Sequence, residues 1–192
     1  MRVRVQTPPA MEPISVEDAR LHLRATESVE DAYIADLITA ARQTVERRCS
    51  RSFYDRTLEL VLDRFPSCDE IRLLFGPVSS VPSITYLDAD GVSQTFAAAS
   101  YVLDSTSVHP RVVLADGESW PETQAHPNAV TIRYVAGYGT DSVDIPADLR
   151  HAVRFLVGHW YANREAVVVG TISSQVAETL ESLIYPLLIM EV

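Results

Sequence analysis

The stretch IPADLRHAVRFLVGHWYANREA, Ile145 to Ala166, decides the fold of this 192-residue chain. Pro146 opens a helix there. The first N–H groups of a helix have no partner within it, and the fixed φ of proline suits the first turn. Leu149, Val153, Leu156, Val157 and Trp160 then recur at helical spacing and hold one face. Immediately upstream, YVAGYG (Tyr134 to Gly139) reads as a strand that ends in a glycine-rich turn. The decisive order is therefore strand, turn, Pro-started helix, and then the polar and aromatic run HWYANRE.

Working outward, two further helices are expected before the strands. Ser15 with Asp18 forms a capping pair at the start of a short helix that ends near Arg24. A second start lies at Ser28, with Glu30 and Asp31 suited to a helix N-terminus, and this helix runs to about Cys49. Ile34, Leu37, Ile38, Ala41 and Val45 line one of its faces. Arg42, Arg47 and Arg48 crowd its last turns and read as a solvated, cation-favouring end. From Phe53 to Val135 the period shortens to two. Leu58, Leu60 and Leu62 alternate with Thr57, Glu59, Val61 and Asp63, and short strands follow over 71–75, 83–87, 92–96, 101–103, 111–114 and 129–135. Gly76-Pro77, Ala89-Asp90-Gly91 and Ala115-Asp116-Gly117 supply turn chemistry between them. Such close spacing favours antiparallel pairing, since parallel crossovers need a dozen or so connecting residues.

The fold class expected is α+β. A small helical bundle, with helices near 15–24, 30–49, 146–163 and 177–185, carries an antiparallel β-rich insertion between its second and third main helices. The parts are an extended N-terminal arm over 1–13, a helical core over 14–52 and 140–166, the insertion over 53–139, and a C-terminal tail over 167–192. Pro8, Pro9 and Pro13 keep the arm out of helix, and it reads either as a loose terminus or as an arm that orders on a neighbouring subunit. In the tail, Val167 to Val169 is a short strand or an extended loop, Gly170 to Gln175 is a polar hinge, and Pro186 ends or kinks the final helix.

Composition narrows the function. The chain is 47% hydrophobic and 22% charged, an ordinary globular balance, and its net charge of −10 argues against a protein whose task is to grip nucleic acid. An acidic wall instead keeps DNA from sticking as it slides past. Cys49 and Cys68 have no metal-ligand spacing; two reduced thiols are expected, with one disulfide as the alternative. The N-terminus lacks the apolar core of a signal peptide, and no run is long enough to span a membrane. A soluble protein made in the cytoplasm is expected.

Catalytic signatures are missing from the sequence. There is no GxSxG elbow. Gly137-Tyr138-Gly139 is only a fragment of a dinucleotide motif. Asp88-Ala89-Asp90-Gly91 places its glycine too early for a calcium loop and reads as a hairpin turn. His22, His109, His126, His151 and His159 form no HExxH pair, and His151 and His159 diverge by roughly 80° around their helix. No enzyme, cofactor or metal is expected.

The ordered set ISVEDARLHLR (Ile14 to Arg24), EDAYIADLITAARQTVERRCSRSF (Glu30 to Phe53), LDRFP (Leu62 to Pro66), IRLLFGPVSSVPSITYLDADG (Ile71 to Gly91), SWP (Ser119 to Pro121), VTIRYVAGYG (Val130 to Gly139) and the opening helix resembles one family across nearly the whole chain. It is the head–tail connector, or adaptor and head-completion, family of long-tailed bacteriophages and prophages, in its long form with a β-rich insertion. The resemblance implies a structural ring of about twelve copies under the portal. The ring extends the DNA channel without sequence-specific binding, docks the next neck or tail-completion protein, and belongs to the virion neck with no membrane contact. Leu183, Leu187, Leu188, Ile189, Met190, Arg154, Trp160, Tyr161 and Arg164 are the candidate partner-binding residues. The apolar tail is expected to dock on another chain, the portal first and a neighbouring subunit second; folding back on its own helices is the counter-reading. Two rivals stand beside the connector: another neck or tail-completion protein, and a carbohydrate-binding or enzymatic β module in which Trp120 and Tyr101 stack on sugars.

Overall fold

The computed structural model describes residues 2–6, 9, 11–107, 109–164 and 174–188. The chain divides into two compact units, Met1–Pro9 with Asp55–Tyr138 and Ala10–Tyr54 with Gly139–Val192.

The first unit is made of antiparallel strands. In chain order they are β1 (Arg2–Val5), β2 (Arg56–Leu62), β3 (Glu70–Arg72), β4 (Val78–Leu87), β5 (Ser93–Phe96), β6 (Tyr101–Asp104), β7 (Arg111–Leu114) and β8 (Val130–Ala136). A five-stranded sheet has the order β1-β2-β8-β4-β5, and a three-stranded sheet the order β3-β7-β6. Alternation follows from the period of two. Leu58, Leu60, Ile132 and Tyr134 point into a core shared with Ile71, Leu73 and Val112, whereas Glu59 and Arg133 face the other way as cross-strand partners. The phenol of Tyr134 is fully buried and donates to Leu74 O at 2.9 Å, so its one polar atom is satisfied.

Three findings in this unit differ from the sequence reading. Arg2–Val5 of the N-terminal arm forms an edge strand on β2, in register Arg2↔Val61 to Val5↔Leu58. Gln6 extends that contact by donating to Glu59 Oε2 at 2.6 Å. β4 starts at Val78 rather than Ser83, and its pairing with β8 shifts between Val78, Ser80 and Ser83. The shifts break the two-residue period, which is why no alternation shows in SSVPS. The strand expected over 71–75 is shorter, Glu70–Arg72.

The second unit holds α1 (Val16–Leu23), α2 (Asp31–Cys49), α3 (Ala147–Ala162) and α4 (Ser174–Ile184). Ser15 caps α1 by accepting from Asp18 N at 3.0 Å. Ser28 does not cap α2; Ser28–Glu30 is a 3₁₀ turn that leads into it. Ile34, Ile38, Ala41 and Val45 of α2 are buried, as are Leu149, Val153, Leu156 and Val157 of α3, and the two helices pack together. Each carries one apolar stripe that neither could bury alone. Before α3, Asp141 and Asp144 cap a 3₁₀ turn reciprocally. Gly139 has φ +138° there, and a Cβ at that position would strike the Asp144 carboxylate. Cys49 is buried and Cys68 exposed, and both thiols are free. No described helix is long and apolar enough to cross a membrane.

Candidate partner-docking site

The candidate residues on α3 cluster near its C-terminal end, and two of them are engaged within the chain. The Tyr161 hydroxyl donates to Glu30 Oε2, and the Arg164 guanidinium holds the same carboxylate at 2.6 and 2.7 Å. That guanidinium also lies 4.6 Å from the Tyr161 ring centroid and 5.0 Å from that of Tyr33. Arg164 and Tyr161 together hold the Glu30 carboxyl well below its ordinary value, at about 2. Glu30 read in sequence only as a first-turn acid. Its partners lie over 130 positions away, beyond any local pattern, and no sequence signal exposes them.

Trp160 is half-buried, and with Thr44, Arg48, Leu156, His159, Ala177 and Leu180 it lines a small cavity of about 80 Å³ between α2, α3 and α4. Leu180 and Ile184 of α4 are buried, at 4% and 2% exposure. Two polar links accompany them: Arg48 lies 3.6 Å from Glu181, and Arg51 Nε donates to Leu187 O at 2.9 Å. The described part of the tail therefore rests on helices of its own chain. Leu183, Leu187 and Leu188 stay half-exposed, as does Arg154 on α3. Ile189 and Met190 lie outside the described residues, as do Val167 to Val169 and residues 170–173 of the polar hinge.

A second ionic cluster corrects the reading of α2's arginines. Arg42 is 5% exposed and Glu46 3%. Arg42 Nε donates to Glu12 Oε2 at 2.7 Å and its NH1 to Glu46 Oε2 at 3.0 Å. Glu46 Oε1 in turn accepts from Phe53 N at 2.9 Å. Arg42 is thus a buried cross-tie rather than a solvated helix end, because two carboxylates compensate its desolvation. Burial pushes the Cys49 thiol up to about 11, which leaves it a poor nucleophile.

The β unit offers no free aromatic platform at the two rings proposed for sugars. Tyr101 is 9% exposed and stacks on Phe96, with its hydroxyl donating to Val81 O at 3.3 Å. Trp120 stacks on Phe65 at 4.9 Å between centroids and donates to Cys68 O at 2.8 Å. The Asp88–Gly91 segment is a hairpin turn, in which Asp88 Oδ1 accepts from Asp90 N and Val92 N. Among the described residues no group of His, Cys, Asp and Glu is placed to hold a metal ion.

Comparison with known proteins bears on what these surfaces do. The family model described as head completion protein matches residues 12–180. No curated protein matches the chain. Among solved structures, chains from the neck of an empty gene transfer agent (GTA) particle computed with C6 symmetry and from the virion of the native particle are each similar over the whole chain. Both have TM-score 0.81, 26% identity and 97% of the other chain covered. A chain from the native GTA neck computed with C12 symmetry shares the fold at TM-score 0.78 and 24% identity, with 100% of this chain and 97% of that one covered.

Proposed function

The chain belongs to the head completion protein family, and from that premise we propose that it is one subunit of a ring of about twelve copies seated under the portal. It is a head–tail connector of the virion neck. The ring extends the DNA channel, lets DNA pass without reading its sequence, and presents a docking face to the next neck or tail-completion protein. The observation that carries this reading is the match to neck proteins along the entire chain, helical unit and β unit alike. Neck structures computed with C6 and C12 symmetry support repeated copies around an axis. The net charge of −10 suits a channel wall that DNA must slide along. The role is structural and non-enzymatic. Leu183, Leu187, Leu188, Ile189 and Met190, with Arg154 and the exposed rim of Trp160, Tyr161 and Arg164, supply contacts to neighbouring chains.

Deleting the gene tests this. DNA-filled heads without tails are expected, and tailed, infectious particles from the deletion would overturn the proposal.

A further inference from the structure

The five-stranded sheet ends in two open edges, β1 and β5, with no strand beyond either among the described residues. Gln6 N donates to Thr57 O at 3.0 Å, so Arg4 and Arg2, in phase with Gln6, turn their N–H and C=O groups to β2. Val3 and Val5 turn theirs to the open side. At the other edge Asp88 N donates to Val92 O at 3.0 Å, so Gln94 and Phe96, in phase with Val92, bond β4. Ser93 and Thr95 face outward. Neither edge is fully guarded against pairing: Val5 is 53% exposed, and β5 has no charged residue.

An open edge takes another strand, and the two edges of this sheet fit each other. The strand number is odd and every pair is antiparallel, so β1 and β5 run the same way. A second copy laid alongside without being turned over therefore presents its β1 to β5 in parallel. Parallel strands set a residue that bonds across the gap beside one that does not. Val3 beside Gln94 and Val5 beside Phe96 obey that rule, with the backbone of Val3 bonding Ser93 and Thr95. The same register keeps the pleat. Val3 and Phe96 belong to the core face, and Arg2 and Arg4 share the opposite face with Ser93 and Thr95. Charge selects the same arrangement. Arg2 and Arg4 are exposed and have no ion pair among the described residues. Pairing β1 with β1 about a two-fold axis would set these like charges against each other. Parallel pairing with β5 instead brings Arg2 to the end of β5 beside the hairpin that holds Asp88 and Asp90. We propose that β1 of one copy pairs in parallel with β5 of the next, so that the sheet runs on from copy to copy. This rests on the ring reading, in which two different surfaces meet and the contact repeats around the axis.

Cysteines read out the register. β1 and β5 of one chain stand four strand spacings apart, about 19 Å, far beyond the reach of a disulfide. The full chain would carry Arg4→Cys and Thr95→Cys, with Cys68→Ser to remove the exposed native thiol. Mild oxidation of its rings is expected to give a ladder of linked chains on a denaturing gel, and either new cysteine alone is expected to give none. Val5→Pro removes an N–H that β2 does not use. The free subunit is expected to unfold at the native temperature, while ring association weakens about fivefold or more. Rings that form without the ladder, dimers linked through one new cysteine alone, or Val5→Pro rings as tight as native ones would each overturn this inference alone. Absence of rings altogether would overturn the ring reading and this contact with it.

Discussion

Arg42 and Glu30 show what single residues decide in this chain. Arg42 sits at 5% exposure between Glu12 and Glu46. Removing it takes from the Glu46 carboxylate, itself 3% exposed, the guanidinium that bonds its Oε2. Arg42→Ala is expected to cost about 3–5 kcal/mol in urea unfolding; a loss under about 1 kcal/mol would show that water reaches Glu46. Glu30 gives a pH signature instead. Its carboxyl lies at about 2 when folded, against an ordinary 4.5, because Arg164 and Tyr161 bond the charged form. A depressed carboxylate contributes stability that is whole above about 4.5 and is lost as pH falls toward about 2. The native chain should therefore lose more stability than Glu30→Gln across that window, by thermal unfolding at stepped pH. Equal losses would mean the Glu30–Arg164 contact does not hold in solution. Neither residue's role was legible in sequence. Glu12 lies 30 positions from Arg42 and Arg164 lies 134 from Glu30, and no periodicity links them.

Elements were more legible where one stripe does one job. α3 could be read because Leu149, Val153, Leu156 and Val157 recur at the helical period and all are buried. β8 showed itself by alternation, with Ile132 and Tyr134 inward and Arg133 outward. β4 hid its first half because shifts in its pairing with β8 displace the pattern. α1 owes its visibility to a cap, Ser15 on Asp18 N, and not to burial, since only Ala19 is buried along it. α4 is held by few described anchors. Leu180 and Ile184 anchor it, a cavity of about 80 Å³ lies beneath it, and its ion pair is long and exposed. Leu180→Asp should free α4 without unfolding the rest. Hydrogen exchange should then speed up over residues 177–184 and leave 34–49 unchanged. Loss of protection in both places would make α4 part of the cooperative core.

At the scale of the whole molecule, charge and connectivity matter most. Every copy brings a net −10 to an assembly, so neighbours repel at long range whatever their contacts do. Raising ionic strength from about 0.01 M to 0.15 M shortens the screening length from about 30 Å to about 8 Å. Ring formation, followed by sedimentation velocity, should strengthen over that range. Weakening would mean that contact ion pairs, and not net charge, govern assembly. Connectivity carries the other lesson. After α2 the chain returns to the β unit through β2 and leaves it through β8, and these two strands are neighbours, paired from Arg56↔Ala136 to Leu62↔Val130. The incoming and outgoing segments thus sit side by side. Apart from the N-terminal strand β1, which adds to its edge, a module joined through one such doorway can be gained, trimmed or exchanged over evolution without rewriting the helices on either side of it. The same logic makes the tip of the Asp88–Gly91 hairpin, held by its own aspartate, a practical place to graft an epitope tag or a displayed peptide.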